Sequence, residues 1–312
     1  MKEKKQRTLF YRRAVWNEKT SMNLEEHLKK VHRKLTSTSL RTFKYHEFEI
    51  QCLKVENKPA GMFFHVASYI PEQPASLVPA ASSSESVDTE TQMPPAKRNY
   101  MEGDIFFMVS GNDLILLPSG ARESIALAYI SLSLGSGGTD INLKYDIEAI
   151  ADINKVKMIQ NEGVKKIALN TSIYDATLKH EEMKSHRHTS KSFYDGAAQF
   201  IFKLFKEDHN IEDMKEMENL SVRIELSYNS RKKGFDVGSD YLQNTAKELI
   251  KDEDSEGFSI ITNKGNKLDE NQIRISSKMK FKTYGKSIYR KEAFDFMQQY
   301  LKDLKDKGVL DQ

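Results

Sequence analysis

The chain predicts an α+β protein: mostly antiparallel sheets with packed helices, two sub-domains and one long disordered insertion. Strand-like segments come in pairs around turn sequences instead of alternating one by one with helices, which disfavours a doubly wound parallel sheet. Apolar residues at helical spacing recur within 24–35, 193–205 and 291–307. Pro71, Pro74, Pro79, Pro94 and Pro95, five of the seven prolines, crowd into residues 71–98. Between them lies a Ser/Glu/Thr-rich stretch too poor in apolar residues to order itself.

Residues 1–13 carry Lys2, Lys4, Lys5, Arg7, Arg12 and Arg13 against the single acid Glu3. They read as a basic arm or as a solvated tail. Residues 21–35 read as a helix, with Ser21 and Asn23 as candidate N-caps, Glu25 and Glu26 in the first turn, and Leu24, Leu28, Val31 and Leu35 on one face. Phe48, Ile50, Leu53 and Val55 lead into the turn composition of 57–61, and 62–70 returns as the second strand of a hairpin. The segment 71–98 is expected as a disordered loop inserted between strands of one sheet, because an isolated hairpin would lack a core. Residues 105–109 and 114–117 form a second hairpin, followed by an apolar helix over 122–134. Gly135, Ser136, Gly137 and Gly138 end that helix. A phosphate-binding loop would precede a helix, so the glycines read as a stop.

Further on, 164–173 reads as a strand, 179–192 as a polar stretch and 193–205 as an amphipathic helix. Residues 207–218 are strongly acidic. Val222, Ile224, Leu226 and Tyr228 alternate as in a half-buried strand. A helix over 239–251, strands over 258–262 and 272–284, and a closing helix over 291–307 complete the chain. There is no internal repeat. The expected division is an N-terminal α+β domain over 1–170, with the basic arm and loop 71–98, and a C-terminal α+β domain over 171–312, with a basic strand and the closing helix.

Composition excludes several classes. Forty-eight Lys and Arg against 45 Asp and Glu leave a net charge of +3, so the protein is not uniformly basic. Cys52 is the only cysteine, which removes intramolecular disulfides and zinc sites built on cysteine pairs. The longest apolar-rich run, 125–134, is about half the roughly 20 residues of a membrane-spanning helix. No apolar stretch follows the basic N-terminus, and Lys2 excludes N-myristoylation. The expectation is a cytoplasmic protein without direct membrane insertion.

The strongest electrostatic feature is 273–291, which holds Arg274, Lys278, Lys280, Lys282, Lys286, Arg290 and Lys291 and no acid. In a strand, Lys278, Lys280 and Lys282 share one face while Met279 and Phe281 point to the core. Their spacing, roughly 6.6 Å, is close to the ~7 Å between successive phosphates along a DNA strand. The ladder can therefore follow a phosphate backbone, or it can protect a sheet edge from aggregation. Arg231, Lys232 and Lys233 extend the patch if the fold brings them beside it. Acidic segments at 207–218 and 248–256 offset the total charge, and segregated charge suits nucleic-acid binding on one face.

Other candidate chemistry is weaker. His180, His186 and His188 have no metalloprotease spacing and read as a solvated loop. Asp269 and Glu270 before Lys278 and Lys280 fit no nuclease motif. Cys52 lies in a hairpin strand and reads as core. No catalytic residue, metal ligand or cofactor is assigned.

The run Ser21-Met22-Asn23-Leu24 with Leu28, the hairpin at 46–70 and Glu102-Gly103-Asp104 heading the second hairpin resemble the layout of the RexA family of phage-exclusion sensor proteins. The later order is also similar: strand 164–170, helix 197–205, strand 220–228 with 231–233 behind it, strands 258–284 and a closing helix. The likeness covers most of the chain through short matches, and 71–98 and 179–192 depart from it. The resemblance implies a cytoplasmic, non-enzymatic DNA-binding sensor in abortive infection. It implies a homodimer of α/β subunits working with a membrane-protein partner that depolarises the cell. The function expected is therefore that of a sensor or effector in anti-phage defence that binds double-stranded DNA without sequence preference, as a homodimer or higher homo-oligomer. A metal-dependent nuclease effector, and a protein-binding adaptor using the acidic segments, remain open alternatives.

Overall fold

The computed structural model describes residues 4–80, 86, 88–137, 145–172, 221–228, 235–251 and 257–310. In chain order the strands are β1 (Lys4–Trp16), β2 (Thr42–Tyr45), β3 (Phe48–Lys58), β4 (Gly61–Tyr69), β5 (Ala75–Leu77), β6 (Glu90–Gln92), β7 (Gly103–Ser110), β8 (Asp113–Ser119), β9 (Tyr145–Ala149), β10 (Val164–Ser172), β11 (Ser221–Ser227), β12 (Phe258–Thr262), β13 (Lys267–Asp269), β14 (Ser276–Tyr284) and β15 (Ser287–Ile288). The α-helices are α1 (Leu24–His32), α2 (Glu123–Ser136), α3 (Ile153–Glu162), α4 (Phe235–Lys251), α5 (Glu270–Ile273) and α6 (Arg290–Asp306). A 3-10 turn spans Ser39–Arg41. Hairpin-connected, mostly antiparallel sheets with packed helices make this an α+β fold, as the sequence predicts.

The chain forms two compact units, Met1–Ile147 with Ser277–Gln312 and, between them in sequence, Glu148–Ser276. This differs from the expected cut at residue 170. β10 (Val164–Ser172) is central to the second unit's sheet, between β11 and β12, while β14 and α6 return to the first unit. A contiguous cut assumes that neighbours in sequence are neighbours in space, and here the last 36 residues rejoin the first 147 (312 − 276 = 36).

The first unit is built on a nine-stranded sheet in the order β15-β14-β1-β8-β7-β4-β3-β2, with β9 also on β1. β4 and β7 are central and read as nearly continuous apolar runs. Such runs belong to strands covered on both faces, and both strands are buried along almost their whole length. On one face, Leu24, Leu28 and Val31 of α1 and Tyr129 and Ile130 of α2 cover Phe64 and Phe107. These two rings are paired across the strands and stacked 4.5 Å apart. On the other face, Phe294 of α6 lies 5.2 Å from Phe63 and 6.3 Å from Phe106, ring centre to ring centre. Asn23 and Glu26 form a reciprocal capping box that fixes the start of α1. At the β3–β4 turn Gly61 has φ +136°, and a Cβ there would meet the Val109 carbonyl oxygen at 2.3 Å. Only glycine fits that turn.

Two expectations are corrected in this unit. Residues 4–16 are neither arm nor tail; they form β1, inside the sheet between β14 and β8. Leu9, Tyr11 and Ala14 are buried, and so is Arg12, whose guanidinium pairs with Glu123 at 2.8 Å. Arg13 pairs with Asp113 at 3.0 Å. Acids about 100 residues away neutralise these cations and let the strand be buried. Loop 71–98 is not structureless either, since β5 and β6 pair antiparallel from Ala75↔Gln92 to Leu77↔Glu90.

The second unit holds a four-stranded antiparallel sheet, β11-β10-β12-β13. Ile159 of α3 and Leu242, Ala246, Leu249 and Ile250 of α4 pack with Val164, Ile167, Leu169, Phe258 and Ile260. β11 alternates as predicted: Val222, Ile224 and Leu226 are half-buried while Arg223 and Glu225 are exposed. The expected helix at 193–205, the polar stretch 179–192 and the acidic segment 207–218 lie outside the described residues. Among the described residues, no helix is long and apolar enough to cross a membrane.

Candidate nucleic-acid interface

β14 alternates along its length. Lys278, Lys280 and Lys282 are exposed, Met279 is half-buried and Phe281 is fully buried. Phe281 packs edge-on against Phe296 of α6 at 5.1 Å. The inward side chains of β14 therefore belong to the α6 face, and by alternation the lysines leave from the opposite face. The alternation comes from the sequence itself, because lysine cannot be buried unpaired while phenylalanine gains from burial.

β14 is the second strand from the sheet edge. Its outer side pairs with β15 only at Thr283↔Ile288 and Tyr284↔Ser287, and the Lys282 backbone N–H donates to Glu292 Oε2 at 3.0 Å. Its inner neighbour is β1, whose exposed Lys4 and Lys5 thus belong to the strand beside the ladder. Sequence reasoning found both basic segments separately. It missed that the sheet makes them neighbours, which only the strand order reveals.

The remaining predicted cations divide. Lys286 follows β14 in the exposed turn at Gly285, and Lys291 is exposed in the first turn of α6. Lys282 and Lys291 share a groove with Glu292 and Asp295, so acids temper that end of the patch. Arg274 is not a ladder residue. It is 2% exposed, bonds Glu270 at 2.6 Å and the Leu249 carbonyl at 3.1 Å, and lies over the Phe258 ring. It belongs to the second unit's core, and no phosphate can reach it. Arg290 is half-buried and turned inward, its Nε donating to His65 Nδ1 at 3.3 Å. Arg231, Lys232 and Lys233 lie outside the described residues, as do His180, His186 and His188.

The carboxylates weighed for metal chemistry have other work. Asp269 caps α5 in a box with Gln272, and Glu270 holds Arg274 and the Gly257 N–H. No group of three or more metal-ligating side chains occurs among the described residues. Cys52 is buried, and burial pushes its thiol up to about 11, so it stays protonated at neutral pH.

One polar constellation was not foreseen. Asp104 accepts from His65 Nε2 at 2.8 Å and from the Ser287 hydroxyl. His65 stacks on Phe106 at 4.1 Å, and all three polar side chains are at most 3% exposed. Asp104 sits between the serine and the histidine, so the imidazole does not bond the Ser287 hydroxyl, and burial closes all three off from solvent. With Arg290 donating to Nδ1, the His65 proton is assigned to Nε2. The cluster fastens β15 and the start of α6 to the middle of the sheet. Its only sequence signal is a lone His within the apolar run of β4.

Compared with known proteins, the chain matches no protein-family model and no curated protein sequence.

Proposed function

We propose that the protein binds the phosphate backbone of duplex DNA without sequence preference and acts as a sensor or effector in anti-phage defence. The observation that carries the binding half is the lysine face of β14: Lys278, Lys280 and Lys282 exposed together, at a spacing of roughly 6.6 Å. Lys4 and Lys5 alternate on the adjoining strand, so one of the two shares the ladder's face, and Lys286 adds a charge in the turn that follows β14. Phosphate contacts of this kind supply affinity and position but read no bases. The defence role, the homodimer, the membrane-protein partner and the cytoplasmic location follow from the resemblance to the RexA family and are part of the same proposal.

Duplex binding across a salt series tests it. Without Arg274 and Arg290, engagement of three to five lysines gives a slope of log K against log salt of roughly −2.7 to −4.5. Lys278→Glu/Lys280→Glu/Lys282→Glu should abolish binding at physiological salt, and unrelated duplexes should bind the wild type alike. Equal binding by wild type and triple variant would leave the ladder as protection of a sheet edge.

A further inference from the structure

A second positive site lies elsewhere in the same unit. The end of α1, the 3-10 turn at Ser39–Arg41 and strands β3 and β4 enclose a cavity of about 200 Å³. Lys29, His32, Arg33 and Arg41 line it with Asn57, over an apolar floor of Val55 and Met62. Among the described residues, no carboxylate lines it. In the strand order, β3 and β4 are separated from β14 by β1, β8 and β7, so this is not a continuation of the lysine ladder.

The charges in the cavity are only partly compensated. Lys29 is paired with Glu25 at 2.5 Å. Arg33 and Arg41 have no ion-pair partner among the described residues. Two nitrogens are buried without a hydrogen-bond partner, Arg41 Nε and His32 Nδ1. The Tyr129 hydroxyl lies 3.4 Å from His32 Nε2. The Tyr129 hydroxyl also bonds Cys52, and His32 offers a donor at Nδ1 whenever that nitrogen carries the proton. Buried donors without acceptors are costly, and they mark a place where an acceptor is missing.

We infer that this cavity binds a phosphate-sized oxyanion, held by Arg41 and Arg33 with the His32 imidazole as a further donor. Arginine presents a planar fork of donors that matches phosphate oxygens. A cavity this small takes a phosphate group rather than a whole nucleotide. The oxyanion is either free inorganic phosphate or the terminal phosphate of a polynucleotide, and the chemistry of capture is the same. The electrostatics agree. Burial, and next the Arg41 charge, push His32 down to about 4, so an anion beside it must raise its titration.

Calorimetry of the full chain with inorganic phosphate at constant ionic strength tests the inference, with Arg41→Gln and the exposed-site variant Arg33→Gln beside wild type. Each variant should weaken phosphate by about tenfold or more. Proton NMR of His32 should show its midpoint rising when phosphate replaces chloride. A 5′-phosphorylated oligonucleotide that displaces inorganic phosphate, where its 5′-hydroxyl twin does not, identifies a polynucleotide end. Displacement by neither identifies free phosphate. Absence of phosphate binding, or binding unchanged in a folded Arg33→Gln or Arg41→Gln protein with His32 unmoved, would overturn the inference.

Discussion

The two units solve the same problem, burying one face of an antiparallel sheet, to different depths. In the first, α1 and α2 cover one face and α6 the other, so β4 and β7 are buried on both sides. In the second, among the described residues, α3 and α4 pack on one face, and the other carries the ion network Lys166–Glu225–Arg223. A doubly covered sheet must also bury whatever polar groups its strands contain. That is why His65, Asp104 and Ser287 are enclosed and mutually bonded in the first unit, while Glu225 of the second stays in solvent. Depth of cover, more than strand composition, sets how costly each residue is to change.

The largest expected effect is at the double-layered sheet. Phe106→Ala removes a fully buried ring that touches His65 and Phe294, and should cost about 3–5 kcal/mol. Ile224→Ala, on half-buried β11, should cost about 1–2 kcal/mol. Trp16 is the only tryptophan and lies in the first unit, so its fluorescence in denaturant follows that unit. Peptide-resolved amide exchange follows the second. Equal losses at the two positions would break the comparison.

Acid should separate the units next. All four described histidines lie in the first unit, and burial lowers His32, to about 4, and His27 as well. The folded state then keeps His32 neutral while the unfolded chain takes up a proton below the ordinary 6.5. The stability linked to His32 is therefore complete above pH 6.5 and is lost as pH falls toward 4, by about 3 kcal/mol in all. In the second unit, hydrogen bonds from Thr262 and Asn266 hold Glu162 below the ordinary 4.5, and Lys166 does the same for Glu225. Their contribution is complete above 4.5 and is lost as pH falls through the lowered folded values. Between pH 6.5 and 4.5 the Trp16 transition should shift to lower denaturant while exchange in β11 and β12 holds. His32→Asn should flatten most of the first unit's pH dependence. A β11 and β12 loss in the same window would refute the separation.

What could be read in advance follows the same division between local and distant causes. The Asn23 cap of α1, the two hairpins and the alternation within 278–282 depend on residues close in sequence and appear where their patterns place them, although the strand expected from 272 begins at Ser276, after the short helix Glu270–Ile273. β1 was misread because its strand pattern was hidden under basic residues whose partners, Asp113 and Glu123, are contributed by β8 and α2. Arg274 was misread for a different reason. It stands in the same acid-free run as the lysines, yet Glu270 precedes it by four residues, a spacing that pairs on a helix. That signal was present and was outweighed by the run. The cavity of Arg33 and Arg41 was not visible at all, because it depends on α1 and the 3-10 turn closing over β3 and β4.

The smallest expected effect tests the open face of the second unit. Glu225 accepts from Lys166 at 2.9 Å and from Arg223 at 2.7 Å, and both bonds favour its charged form. The side chains stand in solvent, where water and salt screen the attraction and ordering long chains opposes it. Glu225→Gln should therefore leave the exchange protection of β11 unchanged at 0.15 M salt within error, with a small loss emerging only at low ionic strength. The opposite case sits in the first unit. Asp104→Asn also exchanges a carboxylate for an amide, but it leaves the buried donors of His65 and Ser287 competing for a weaker acceptor, and should cost about 1–3 kcal/mol. Two carboxylate-to-amide changes with such different outcomes would place the difference in cover rather than in charge. A salt-independent loss at Glu225 as large as that at Asp104 would show instead that the open face is as stabilising as the closed one.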